Sequence, residues 1–240
     1  MNMFSMIHLV KNSLREYMLD SYNLLFPNVC IHCNTILLYQ EKHLCTKCRF
    51  SLPKTHYHLL KDNPLEQKFV YEPRVRGASA FLHYHKGGVA QRLIHTLKYK
   101  DEPEIGTLMG KLYAPELLEA NWPVELIVPV PLHRSKLKKR GFNQSEKFGE
   151  GLSEIMEVPM DAELVRRVKR TSTQTRKSKV ERWQNTQDIY QVTQPQKIAG
   201  KSILVVDDVL TTGATAGQLV SELILRQAAS VYIATIAAGK

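Results

Sequence analysis

The stretch Ile203-Leu204-Val205-Val206-Asp207-Asp208-Val209-Leu210-Thr211-Thr212-Gly213-Ala214-Thr215 constrains this chain more than any other. Four apolar residues lead straight into two adjacent carboxylates, and a Thr/Gly turn follows. This pattern predicts a buried strand over residues 203–206, a loop at its carboxyl end and a helix over residues 216–226. A helix start carries unpaired N–H groups and partial positive charge, which suits a phosphate. The paired acids repel phosphate and suit hydroxyl donors or a metal ion. Phosphate at one end and diol at the other describe a ribose 5-phosphate. An ordinary strand, turn and helix cap is the competing reading, since Asp and Thr are common there.

Further strands are expected over residues 78–85, 126–128 and 231–237, and helices over 89–99, 105–119 and 143–156. Strands alternating with helices imply an α/β fold, a largely parallel sheet with helices on both faces and its sites at strand carboxyl ends. A chain of 240 residues holds one such domain and a small module. No uninterrupted apolar run reaches the ~18 residues that span a bilayer. Residues 1–27 have apolar positions near helical spacing, which predicts an amphipathic helix packed on the protein or docked at a membrane surface. With no small-residue cleavage site after it, this segment is a poor signal peptide. A cytoplasmic protein is expected, with peripheral contact at the inner face of the membrane as the variant of that expectation.

All four cysteines lie in Cys30-Ile31-His32-Cys33 and Cys45-Thr46-Lys47-Cys48, with eleven residues between the pairs. Two such knuckles predict a tetrahedral structural zinc site in a module over residues 28–52. Disulfides or redox chemistry are the alternatives. Residues 53–73 hold three prolines and no sustained periodicity, and are expected to connect the module to a main domain over 74–240.

The formal charge of +10 is concentrated. Residues 133–147 carry six cations against one acid, and residues 164–182 eight against one, leaving the remainder slightly negative. Such concentration suits polyphosphate or nucleic acid.

The paired acids and the Thr-Thr-Gly-Ala-Thr loop resemble the loop of type I phosphoribosyltransferases that binds 5-phosphoribosyl 1-pyrophosphate (PRPP). The resemblance implies ribose contacts from Asp207 and Asp208, with PRPP contacts continuing through Val209, Leu210, Thr211, Thr212, Gly213, Ala214 and Thr215. The segment from Pro129 to Gln144, P-V-P-L-H-R-S-K-L-K-K-R-G-F-N-Q, is closer still to the ComF family (competence protein F). There it implies a pyrophosphate loop of Leu132, His133, Arg134 and Lys136, with Arg134 also in a catalytic role beside Asp207 and Asp208. The segment from Arg170 to Asn185 is similar to that family's flexible lid over PRPP. By that likeness Arg170, Gln174, Arg176, Lys177 and Arg182 belong to a lid at about 166–186. The family pattern carries leucine near position 177, so Lys177 adds charge to it. The resemblance implies Mg²⁺ with PRPP, transfer of the phosphoribosyl group to a nucleobase or other nitrogen acceptor with release of pyrophosphate, and a part in bacterial competence and DNA uptake. Its alternative is a non-catalytic scaffold or single-stranded-DNA-binding protein that meets the competence helicase and other transformation proteins.

Overall fold

The computed structural model describes residues 26–168 and 190–239. The chain forms two compact units, Met1–Leu52 and Pro53–Lys240. The first holds the cysteine pairs and one short helix, α1 (Thr46–Phe50), whose N-cap is Cys45. Among its described residues only Cys30, Leu44, Cys45, Cys48 and Leu52 are buried apolar positions. That is too small a set to act as a core.

The second unit is built on four parallel strands: β1 (Val75–His83), β2 (Leu126–Pro129), β5 (Ser202–Leu210) and β6 (Ser230–Ala238). Their order across the sheet is β1-β6-β5-β2. Strands β3 (Val165–Arg167) and β4 (Tyr190–Val192) pair antiparallel as a separate ribbon. All four predicted strands appear in the main sheet. The ribbon is additional, because its three-residue strands are too short to show periodicity.

The remaining helices are α2 (Val89–Tyr99), α3 (Glu104–Glu119), α4 (Arg134–Arg140), α5 (Gln144–Met156) and α6 (Ala214–Leu225). Helix α6 buries Ala216, Leu219, Val220 and Leu223 in one cluster with Ile203 and Val205 of β5 and Val231 and Ile233 of β6. On α5, a Cβ at Gly149 would touch Val206 and Ile127, which alternate with that set on the other face. Helices therefore cover both faces, as the alternating pattern requires. Helices α3 and α5 cross at glycines: a Cβ on Gly110 would strike the Phe148 carbonyl, and one on Gly151 the Thr107 carbonyl. This close crossing fixes where α5 begins.

Four expectations change. Strand β5 does not stop at Val206; it runs through both acids, with Asp207 paired to Thr235 and Val209 to Ala237. The equally long neighbour β6 offers backbone partners past the apolar run, so the ladder continues. Helix α6 starts at Ala214 instead of 216, directly after the left-handed Gly213 (φ 79°). The basic stretch after His133 is helical instead of a loop. Its caps explain this: His133 Nδ1 accepts from the Ser135 N–H at 3.3 Å, and Gly141 ends the helix at φ 79°.

Lastly, residues 53–73 are part of the second unit, not a free connection. The Thr55 N–H donates to Phe81 at 3.0 Å, and Leu65 and Phe69 are both 2% exposed. Asn63 donates to the carbonyls of Tyr57, Leu60 and Ala78, satisfying backbone that a polar sequence leaves without a ladder. No helix of the described residues is long and apolar enough to cross a membrane.

Candidate functional site

The acids lie at the carboxyl end of β5, with β2 on one side and β6 on the other. Pro129 pairs with Val206, and the Val130 N–H donates to the Val206 carbonyl at 2.9 Å. Proline is tolerated there because β2 is an edge strand. The stretch following β2 thus leaves the sheet next to Asp207. Every peptide bond among the described residues is trans.

Each carboxylate has its own partner. The Ser145 hydroxyl donates to Asp207 Oδ1 at 2.8 Å, as does the backbone N–H of Asp208. Ser145 is held in the first turn of α5, where the Asn143 side chain accepts from its N–H at 3.2 Å and donates to the Val130 carbonyl at 3.0 Å. Asp208 Oδ2 pairs with Lys98 Nζ at 2.8 Å, from the last turn of α2. Burial, reinforced by the neighbouring Asp208 charge, pushes the Asp207 carboxyl up to about 7. A desolvated acid beside a second acid is poised for a hydroxyl donor or a cation. Both groups offer the hard oxygen ligands that Mg²⁺ takes.

The loop after β5 divides by environment. Leu210 is buried in the apolar core, and Val209 is half-buried in the strand, so neither presents a side chain as freely as the threonines do. Thr211, Thr212, Ala214 and Thr215 are exposed, and Thr212 Oγ1 accepts from the Ala214 N–H at 3.4 Å. Gly213 is buried; a Cβ there would approach the Phe69 ring at 3.1 Å.

Of the expected pyrophosphate-loop positions, Leu132 and His133 are half-buried, and Arg134 and Lys136 are exposed. Arg134 makes no ion pair among the described residues, and the structure does not bring it to either acid. A cavity of about 660 Å³ is instead lined by Lys98, Tyr99, Lys136, Lys138, Lys139 and Arg140, with Asp101 its one acid. The Arg140 guanidinium lies over the Tyr99 ring at 5.6 Å and donates to Gln144 Oε1 at 2.8 Å. Lys98 joins the two features, since it lines the cavity and pairs with Asp208. A cationic cavity beside paired carboxylates can take the anionic end of a ligand whose hydroxyls meet the acids.

Sequence reasoning missed Lys98, Asn143 and Ser145. Lys98 follows the inward Leu97 and looks like an ordinary solvated lysine. Asn143 and Ser145 had a usable signal, an Asn-x-Ser helix start directly after Gly141-Phe142. Arg170, Gln174, Arg176, Lys177 and Arg182 lie outside the described residues, as do residues 1–25 of the helix expected over residues 1–27. The strands flanking 169–189 are described: Arg167 lies over the Tyr190 ring at 5.8 Å, and Glu222 of α6 accepts from the Val192 N–H at 3.2 Å.

In the first unit the sulfur atoms of Cys30, Cys33, Cys45 and Cys48 all lie within 4.8 Å of one another, and none is in a disulfide. Cys33 and Cys45 sulfurs are 3.6 Å apart, and the Cys48 N–H points to Cys45 Sγ at 3.5 Å. Zn–S bonds of about 2.3 Å in a tetrahedron require sulfurs roughly 3.8 Å apart, so this donor set fits zinc. The Thr35 hydroxyl, 3.3 Å from Cys33 Sγ, holds that thiol down at about 6, while burial pushes Cys48 up. A bound cation would make all four thiolates.

The phosphoribosyl transferase domain family model matches residues 143–240. The DNA utilization protein YhgH of Escherichia coli (strain K12) is 31% identical over 198 residues, covering 80% of this chain and 83% of that protein. Competence protein F of Haemophilus influenzae is 28% identical over 200 residues, covering 81% of this chain and 77% of that protein. Among solved structures, glutamine PRPP amidotransferase from B. subtilis complexed with ADP and GMP aligns with a TM-score of 0.43 at 18% identity, covering 59% of this chain and 30% of that one.

Proposed function

The chain belongs to the ComF family of phosphoribosyltransferase-domain proteins, and from that premise we propose that it binds PRPP with Mg²⁺ and transfers the phosphoribosyl group to a nitrogen acceptor. The observation that carries the reading is the pair of acids on one rigid strand end, each with a different partner, beside a cationic cavity. Asp207 and Asp208 hold the two ribose hydroxyls. Backbone N–H groups and hydroxyls of Thr211, Thr212, Gly213, Ala214 and Thr215 take the 5-phosphate at the start of α6. The diphosphate lies toward Lys98, Lys136 and the rest of that cavity, and Arg134 is available from the first turn of α4. Mg²⁺ carried with PRPP supplies positive charge to the departing diphosphate.

The acceptor nitrogen forms the new bond to C1′ while the C1′–O bond breaks. The electron pair leaves with pyrophosphate, and the acceptor proton goes to solvent. Lys98 has two duties in this reading. It holds Asp208 in place before PRPP arrives, and it stabilises diphosphate charge as that charge grows.

Structural zinc at Cys30, Cys33, Cys45 and Cys48 holds the first unit folded. The names of the relatives support a role in competence and DNA uptake; a place in the cytoplasm or at the inner membrane face, alongside the transformation helicase, belongs to the same proposal. The cavity also favours a second reading, a scaffold that binds single-stranded DNA through its lysines and Tyr99.

Zinc-loaded protein, PRPP, Mg²⁺ and a nucleobase panel should yield pyrophosphate, with Asp208→Asn slower by about 10²–10³. Unchanged turnover by that variant would remove Asp208 from the reaction. Pyrophosphate release from no acceptor, together with salt-sensitive single-stranded-DNA binding that PRPP displaces, would favour the scaffold.

A further inference from the structure

Away from the paired acids, three side chains of the second unit converge, and two of them carry buried polar atoms that have no partner. His56 is the N-cap and His58 the middle residue of the short helix Tyr57–Leu59, and Glu116 lies on α3. One ligand atom from each lies within 4.8 Å of the other two. His58 is only 7% exposed, yet neither of its ring nitrogens has a hydrogen-bond partner. Glu116 is divided: Oε1 takes the Lys54 ammonium at 2.6 Å, while Oε2 is buried with no partner. Buried polar atoms are almost always paired, so three orphans at one point mark a missing group.

Charge and chemistry narrow what that group is. A buried imidazole with neither nitrogen hydrogen-bonded has a lone pair to offer a metal. Lys54 occupies one carboxylate oxygen and leaves the other for a second cation. Two imidazoles and a carboxylate suit zinc and its transition-metal neighbours, whereas Mg²⁺ prefers oxygen alone.

We propose that His56, His58 and Glu116 form a second metal site, taking a divalent transition cation of the zinc class with water in the remaining position. The cation fastens residues 53–69 onto α3. That segment carries Phe69, whose ring sits under Gly213 at the start of α6, so the clamp holds the floor of the phosphate loop. The cysteine site differs from this one by its thiolates, and that difference makes the two separately visible.

The test uses the full chain, stripped of metal under reducing conditions and titrated with Co²⁺. About 2 equivalents should bind tightly, one with thiolate-to-cobalt charge-transfer absorption and one with ligand-field bands alone. His56→Asn should bind about 1 equivalent and keep the thiolate band; His56 is exposed at φ 54°, a conformation asparagine tolerates. Glu116→Gln should likewise lose the second equivalent. A wild-type protein that takes only the thiolate-bound equivalent overturns the site. So does a second equivalent that survives in both variants. Should His56→Asn fail to fold, the wild-type spectrum and Glu116→Gln still decide.

Discussion

The two units of this chain are held together by different forces, although they are joined by one covalent backbone. In the first, the described residues leave Phe26, Ile36, Leu38, Tyr39 and Phe50 exposed and gather four thiols instead. In the second, a parallel sheet buries Ile203, Leu204, Val205 and Val206 on β5 and a matching set on β6, with helices on both faces. A few dozen residues cannot remove enough apolar surface from water to offset the entropy of ordering them. The larger unit can, and it has enough stability left to keep two carboxylates half-buried side by side. On the proposed reading one unit depends on a bound metal to fold, whereas the other folds first and then offers a site.

That contrast can be broken most severely by removing the metal. Chelation, or Cys48→Ser, should abolish a binding free energy of about 10–16 kcal/mol and unfold the first unit alone. Hydrogen exchange read by mass spectrometry should then show lost protection over residues 30–50 and intact protection over β1 and β5. Equal loss in both units would mean that the metal stabilises the sheet as well.

The next effect lies within the second unit. Gly110→Ala drives a Cβ into the Phe148 carbonyl and should cost roughly 2–4 kcal/mol, seen as an earlier urea midpoint. Because α5 carries Asn143 and Ser145, PRPP affinity should fall with it. Smaller still, Gly213→Ala puts a side chain at φ 79° and should cost about 1–2 kcal/mol. A neutral result there would show that the loop relaxes without Phe69.

The remaining effect is titration of Asp207. Its native pKa of about 7 lies above that of an unfolded aspartate, so the native state binds more protons between pH ~4 and ~7. Stability from this group is therefore present at low pH and falls as pH rises through that window. PRPP needs the ionised acid, so its affinity should rise from pH 6 to 8 by no more than about tenfold per unit. Isothermal titration at three pH values should show the slope, and Asp207→Asn should flatten it.

Much of this was legible from sequence, and for identifiable reasons. Strands such as 203–206 and 231–237 are continuous apolar runs, which a sheet buried on both faces demands. The knuckles announce themselves because cysteine spacing carries the coordination geometry directly. The segment 53–73 was misleading because its structure depends on one asparagine, Asn63, and two apolar anchors among polar residues. Lys98 was invisible because its partner is 110 positions away in sequence and meets it only through the fold. Local pattern records which face of an element is apolar; it does not record which distant charge a helix end will meet.

The central claim is that the strand end bearing Asp207 and Asp208 is a PRPP site. Calorimetric titration of PRPP with Mg²⁺ into zinc-loaded protein tests it most directly, in parallel with Asp208→Asn and Lys98→Ala. Saturable binding at one site per chain is expected, weakened at least tenfold, about 1.4 kcal/mol, in each variant. Absence of binding to the wild-type protein, or equal binding by Asp208→Asn, would contradict the account.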